Sequence, residues 1–307
     1  MKLLITGGSG FIAQAFFQYL TTLPKEEAPE IRLFDRSFGQ DLTNWEKVDE
    51  GFREFQPTHV INFASLTHID TSIKDPRLFW TNNLGLQINV LEACRKYNSR
   101  LLQISSSEVY GTAKFVPITE EHPLNPHSPY AATKVMQDRA TYSWWQTYGL
   151  DASIVRPFNQ YGAGQQLEKM IPKAITLIRD GKSIPVYGAG VARRDWLYVR
   201  DTARGLWLAL TKLPAGDVVN LATNKSYSTL ELVEVIKEVM GSLGYKDLSQ
   251  VVTVQHTEDR FGHVMNLQAS YAKAKEVLGW EPKYDLRAGI RETALWVLNS
   301  DWGLVSR

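Results

Sequence analysis

Tyr130 and Lys134 stand four residues apart in PYAATK, a spacing that sets both side chains on one face of a helix. A free phenol titrates near ~10. A neighbouring ammonium and a positively charged ring both favour phenolate, so Tyr130 is expected to titrate lower and to act as general base on an alcohol. A surface tyrosine would show the same spacing. What gives the pair meaning is Ser106, at the end of the strand-like run QISSS, where it can hydrogen-bond a reacting oxygen. Glu108 follows in SSSEVYG; read alone, it is an exposed loop glutamate.

A redox partner is suggested by ITGGSGFIA, which follows the first strand and opens the first helix. Gly7 permits the tight turn, and Gly10 lets backbone approach a pyrophosphate on the helix N-terminus. Ala13 is the third small position, and Phe11 and Ile12 open the helix beside the cofactor. Asp35 ends the next strand, where a carboxylate accepts the ribose hydroxyls of NAD and repels the extra phosphate of NADP. Arg36 beside it could pair with that phosphate, and a turn-forming role for Asp35 stays open; the balance favours NAD. The connection from Asp35 to Asp41 is short, so a strand–helix pair common in such domains is expected to be missing. Asp41 and Leu42 would then flank the adenine. Ala64 and Ser65, at the end of HVINFAS, and Asn82 complete the cofactor-binding candidates.

Positioning these groups needs a particular scaffold. Short β-rich runs (KLLIT, IRLFD, HVINFAS, RLLQISS, DASIVRP) alternate with amphipathic helices at Phe11–Thr22, Trp45–Phe55, Asn83–Tyr97 and Pro129–Tyr148. That rhythm predicts an α/β fold, a Rossmann-type doubly wound parallel sheet with a smaller, mostly C-terminal α/β substrate domain. The expected division is residues 1–160 and 197–223 for NAD and 161–196 and 224–307 for substrate, with no linker-like stretch. The 307 residues carry 44% hydrophobic and 22% charged side chains and a net charge of +1. Such a chain has no general attraction for nucleic acid or anionic lipid. No run approaches the ~20 apolar residues of a membrane span. The single cysteine, Cys94, reads as a small core residue, and with the absence of a leader it predicts a cytosolic protein. No His/Cys/Asp spacing suggests a metal site.

ITGGSGFIA, ISSSEVYG, SPYAATK and RPFNQYG together resemble the extended short-chain dehydrogenase/reductase superfamily, over nearly the whole chain. Within its NAD-dependent epimerase/dehydratase family, EKMIP, RRDWLYV and DRFGH are similar to nucleoside-diphosphate-hexose 4,6-dehydratases, above all the dTDP-glucose type. The resemblance implies that Ser106, Tyr130 and Lys134 oxidise carbon 4 of a sugar, with NAD taking the hydride. Glu108 then removes the acidified proton at carbon 5, the carbon 6 hydroxyl leaves, and hydride returns to carbon 6. Where the dTDP-glucose enzymes carry an aspartate thought to protonate that hydroxyl, this chain has Ser107. GDP-mannose dehydratases and UDP-glucuronate decarboxylases also show a Ser–Glu pair, so dehydration stays open; serine is a poor acid at neutral pH, so Glu108 would have to return its own proton.

The same resemblance implies a sugar-nucleotide cradle. Arg194 and Arg260 would hold phosphates, Asn159 would orient the diphosphate or sugar, Lys169 would assist, and Asn220 is a further candidate. Thr67, His68 and Asp70 would line the sugar side, although His68 is equally readable as a structural histidine. The adjacent Trp144 and Trp145 suggest packing, including across a homodimer contact. Rival readings are a 4-epimerase, a 5,6-dehydratase, a UDP-glucuronate decarboxylase and, in another class, a non-catalytic NAD sensor or scaffold.

Overall fold

The computed structural model describes residues 1–259 and 261–299. The chain runs β1 (Lys2–Thr6), α1 (Phe11–Leu20), β2 (Glu30–Phe34), α2 (Trp45–Phe55), β3 (His59–Asn62), α3 (Ile69–Lys74), α4 (Pro76–Tyr97), β4 (Arg100–Ile104), α5 (Pro129–Tyr148) and β5 (Ala152–Pro157). It continues with β6 (Asn159–Tyr161), α6 (Met170–Arg179), β7 (Ile184–Tyr187), β8 (Arg193–Tyr198), α7 (Val199–Lys212), β9 (Val218–Leu221) and β10 (Ser226–Ser228). The last elements are α8 (Thr229–Met240), α9 (Lys246–Val251), β11 (Val254–Thr257), β12 (Asn266–Leu267), α10 (Ala272–Leu278) and α11 (Leu286–Asn299).

Six parallel strands form the main sheet in the order β2-β1-β3-β4-β5-β9. Their apolar runs are buried because helices cover both faces. Leu3 and Ile5 pack with α1 and α7, while Leu4 packs with α2 and α4. A single 3-10 turn at Arg36–Phe38 connects β2 towards α2, so the strand–helix pair expected to be missing is absent and β2 is the sheet edge. Register aligns Thr6 with Phe34 and Asn62. The chain ends after β1, β2 and β3 therefore open at one edge, where ligands bind in such sheets.

Local sequence stops and starts the key helices. At α5, Ser128 accepts from the Ala131 N–H, Pro129 sits at the first position and Gly149 closes the end in the left-handed region, as capping chemistry requires. Asp75 caps α4 with Pro76 at its start, so this helix begins seven residues before the Asn83 expected from periodicity. A second assembly centres on β8, paired with β6, β10 and β12, and a third small sheet pairs β7 with β11. Helices α6, α8 and α11 share its apolar core. The boundary expected at residue 224 does not hold throughout, because Ala274, Leu278 and Trp280 pack in the core around β1 and α7. Trp280 Nε1 donates to the Asp201 carbonyl there at 3.0 Å, which ties this return segment to α7.

Candidate active site

At the glycine loop, Gly7 has a φ of +65° and a side chain there would meet Ala64 N at 2.8 Å. Only glycine satisfies both conditions. Gly10 precedes α1 with no side-chain cap, so Phe11 and Ile12 present helix N–H groups that a pyrophosphate can accept. Asp35 takes four hydrogen bonds: from Ser9 N and Oγ at 3.1 and 2.8 Å, and from Ser37 N and Oγ at 2.8 Å each. Burial opposes its charge, but the Ser37 and Ser9 donors hold the carboxyl below its ordinary range. Serine hydroxyls can rotate away in favour of ribose hydroxyls. Arg36 donates to Asn82 Oδ1 at 2.9 Å and Asp41 Oδ1 at 3.3 Å, so it is already engaged by neutral and acidic partners beside Asp35. Leu42 is buried, its carbonyl held by Asn89 Nδ2 at 2.8 Å. Ala64 N donates to Asn62 Oδ1 at 3.2 Å, and Ser65 Oγ donates to the Leu66 carbonyl at 3.2 Å. An uncapped helix start, a close-packed glycine turn and an ionised Asp35 fit a dinucleotide without an extra ribose phosphate.

On the other side of the sheet edge, Ser106 follows β4 and opens a 3-10 turn at Ser107–Tyr110, where its Oγ accepts from Glu108 N at 3.2 Å. Ser106 lies close enough to Tyr130 for its hydroxyl to favour the phenolate, and Glu108 is near enough for its charge to act on the phenol. Ser72 Oγ on α3 accepts from Tyr130 N at 3.2 Å. Lys134 differs from expectation. Its ammonium donates to the Ile104 carbonyl at 2.6 Å and to Gln137 Oε1 at 2.8 Å. Burial, opposed by Ser106 and reinforced by Glu108, pushes Tyr130 up to about 12. Burial, opposed by Asp138, lowers Lys134 to about 7. The expected lowering of Tyr130 by Lys134 is thus absent in the protein alone. Desolvation dominates at Tyr130, and the Lys134 donors are turned towards Ile104 and Gln137.

A cavity of about 540 Å³ lies alongside, between α3, β6, α6, β7 and β8, within the size range of small-molecule sites. Thr67, His68, Asp70, Asn159, Lys169 and Arg194 all line it. His68 also caps α3, its ring accepting from Thr71 N at 3.4 Å, so both readings of this residue hold. Sequence reasoning missed Gln165, Tyr187, Trp196 and His263, which share the lining. Tyr187 ends the run IPVYG and Gln165 follows a glycine turn; both could have been flagged as loop residues beside strand ends. Three buried polar atoms on this wall lack a partner: Asn159 Oδ1, Gln165 Oε1 and Trp196 Nε1. Buried polar groups are costly unless bonded, so this wall fits a ligand rich in hydroxyl or phosphate oxygens. The triad lies outside the cavity lining, linked to it through the Ser72–Tyr130 contact on α3.

Asn220 does not belong to this cleft. It is fully buried on β9, its Oδ1 accepting from Tyr110 OH at 2.7 Å and its N–H donating to Glu120 Oε1 at 2.7 Å. Its strand lies next to β5, so its side chain meets the Arg156–Tyr110 cluster instead. Arg260 lies outside the described residues. The tryptophan pair packs within its own chain, Trp144 donating to Glu92 Oε1 at 2.7 Å and Trp145 lying against Gly216. Among the described residues no group of three metal-ligating side chains occurs, and no helix is long and apolar enough to cross a membrane.

With fold and site described, the relationship to known proteins is direct. The GDP-mannose 4,6 dehydratase family model matches residues 24–293, and the chain belongs to this family. A dTDP-glucose 4,6-dehydratase from Actinoplanes sp. is 35% identical, the match covering 98% of this chain and 99% of that protein. The crystal structure of a Streptomyces venezuelae dTDP-glucose 4,6-dehydratase double mutant with NAD and DAU bound superposes with a TM-score of 0.88 at 27% identity, covering 98% of each chain. A Thermus thermophilus UDP-glucose 4-epimerase in complex with NAD superposes with a TM-score of 0.87 at 29% identity, covering 98% of this chain and all of that one.

Proposed function

We propose that the protein is an NAD-dependent nucleoside-diphosphate-hexose 4,6-dehydratase, with a dTDP-hexose as the first substrate to test. One observation carries the choice over an epimerase: Glu108 stands on the turn that Ser106 opens, close enough to Tyr130 for its charge to be felt. Inversion at carbon 4 needs no second base, whereas loss of water across carbons 5 and 6 does. The Actinoplanes relative, named a dTDP-glucose 4,6-dehydratase and similar over nearly its whole length, supports the same reading.

Gly7, Gly10, Phe11, Ile12, Asp35, Asp41, Leu42, Ala64, Ser65 and Asn82, with Tyr130 and Lys134, would hold NAD. When bound, it would supply the acceptor for hydride from carbon 4 and the donor to carbon 6, together with a positive charge that favours the Tyr130 phenolate. Tyr130 takes the proton of the carbon 4 hydroxyl while Ser106 hydrogen-bonds the same oxygen. Glu108 removes the carbon 5 proton. Because Ser107 is a poor acid, Glu108 then gives that proton to the hydroxyl leaving carbon 6, water departs, and Glu108 later returns a solvent-derived proton to carbon 5. Thr67, His68, Asn159, Lys169, Arg194 and Arg260 would hold the sugar diphosphate, through charge-assisted bonds where they are cationic.

Incubating purified protein with dTDP-, UDP-, GDP- and CDP-hexoses in deuterium oxide tests this reading. The expected product is a 4-keto-6-deoxy sugar carrying deuterium at carbon 5; a 4-epimer without loss of water would overturn it. A homodimer is part of the proposal. Trp80, Leu84 and Ile88 are exposed at four-residue spacing on α4, beside exposed Tyr142 and Tyr148 on the neighbouring α5. Light scattering on Leu84→Glu/Ile88→Glu should give half the mass of the parent, and equal masses would remove this face as the contact. A cytosolic setting is proposed from the lone, buried Cys94, which can form no internal disulfide.

A further inference from the structure

We propose that Gln137 is a positioning residue that holds the Lys134 ammonium through its side-chain amide oxygen. This rests on Lys134 serving carbon 4 oxidation as described above. Tyr130, Lys134 and Gln137 occupy one face of α5, since residues three, four and seven apart share a face. An ammonium only donates, so the amide must turn its oxygen to Lys134. With the Ile104 carbonyl at 2.6 Å and Gln137 Oε1 at 2.8 Å, two of three N–H donors are committed and one remains for a ligand.

Gln137 is fully buried, and its Nε2 has no hydrogen-bond partner. Leaving one end of a buried amide unsatisfied is unfavourable. A methionine of similar size would fill the space without that cost, so packing does not account for a glutamine here. The acceptor end does. Lys134 is 3% exposed and has no carboxylate among its hydrogen-bond partners. Of the charged groups on the packed elements (Asp138 and Arg139 on α5, Glu92 on α4, Asp70 on α3, Glu108 on the 3-10 turn, Arg156 on β5), only Asp138 acts on it through its field. That carboxylate is bound by Arg156 and Arg139. Gln137 is therefore the one side chain in direct contact that favours the charged form of Lys134, against burial that opposes it.

A hydrogen bond to a charged group is strong enough to move a titration by roughly one to two pH units. Gln137→Met removes the acceptor at nearly constant volume, and Gln137→Glu keeps the shape while adding charge. Protein labelled with 13C at lysine Cε, with the Lys134 signal assigned by its loss in Lys134→Met, reports the titration without any turnover. Lys134 should titrate about one unit or more lower in Gln137→Met and higher in Gln137→Glu. In the pH profile of kcat, the alkaline limb should move the same way in each variant while KM for the sugar nucleotide stays within about twofold of the parent. Identical Lys134 titrations in folded parent and variants would overturn the proposal. If Gln137→Met does not fold, an unmoved Lys134 in Gln137→Glu overturns it alone. Shifted titrations in a protein that turns over no sugar nucleotide would leave Gln137 in its role and remove the functional reading instead.

Discussion

Helix α5 carries two buried charged groups one turn apart, and they fare differently. Asp138 is fully buried, yet it receives Arg156 Nε and Nη2 at 2.8 and 3.0 Å and Arg139 Nη2 at 2.6 Å. Burial alone would raise its carboxyl, but the Arg156 hydrogen bonds and charge take it below the ordinary range. Arg156 in turn is drawn further towards its charged form despite burial, and its Nη1 reaches Tyr110 OH at 2.9 Å. Lys134, four residues earlier, is nearly as buried but has only two neutral acceptors, and it falls to about 7. Burial is common to both groups; the partner decides the charge. The paired Asp138 cluster locks β5, β9 and α5 together, while the under-satisfied Lys134 leaves itself and Tyr130 able to change protonation.

The contrast predicts that the two clusters fail in different ways. Tyr130→Phe should lower turnover by roughly 10²–10⁴-fold while the melting temperature stays within a few degrees of the parent. A large loss of stability would place Tyr130 with the structural cluster around Asp138. Asp138→Ala should do the reverse, costing about 3–5 kcal/mol in a denaturant titration because Arg156 is left buried without its partner. A cost under about 1 kcal/mol would mean that water or Tyr110 satisfies the guanidinium.

Lys134→Met gives a subtler separation. The folded-state titration of Lys134 lies near 7, below the unfolded value near ~10.4. Between these values the unfolded chain binds the extra proton, so parent stability rises with pH across that window and is lowest below it. Lys134→Met lacks this dependence and should therefore melt several degrees above the parent at pH 6 and closer to it at pH 9, although turnover is lost. Equal differences at both pH values would show that Lys134 is not held near neutrality. The smallest effect is expected at Ser107, buried on the turn beside Glu108. Ser107→Asp installs a carboxyl whose burial favours the protonated form, and it should raise turnover by no more than about tenfold. A fall in single-turnover elimination rate would argue that Glu108 handles both protons better alone.

Much of this organisation was legible in the chain. The alternation of apolar runs with helical segments announced the parallel sheet and α5, because strand burial and helix periodicity act over a few residues. Asp75–Pro76 is an equally local signal for the start of α4, and periodicity alone overlooked it. Gly7, Asp35, Ser106, Tyr130 and Lys134 were readable because each sits at a strand end or helix start that the local pattern marks. Asn220 was misread for the opposite reason: whether a strand residue faces a cleft or a core depends on the strands beside it, and β9 pairs with β5.

By itself, then, the sequence determined the succession of elements, the glycine turn and the four-residue spacing of Tyr130 and Lys134. Only the tertiary structure decided which way the ammonium points, that Gln137 receives it, and that Asp138 is bound by Arg156 instead of Lys134. It also brought Thr67, Asn159, Lys169 and Arg194, distant along the chain, onto one cavity. The physical reason is range. Dihedral preference and side-chain periodicity act between near neighbours, whereas desolvation and hydrogen-bond partnership depend on whatever the folded chain brings alongside.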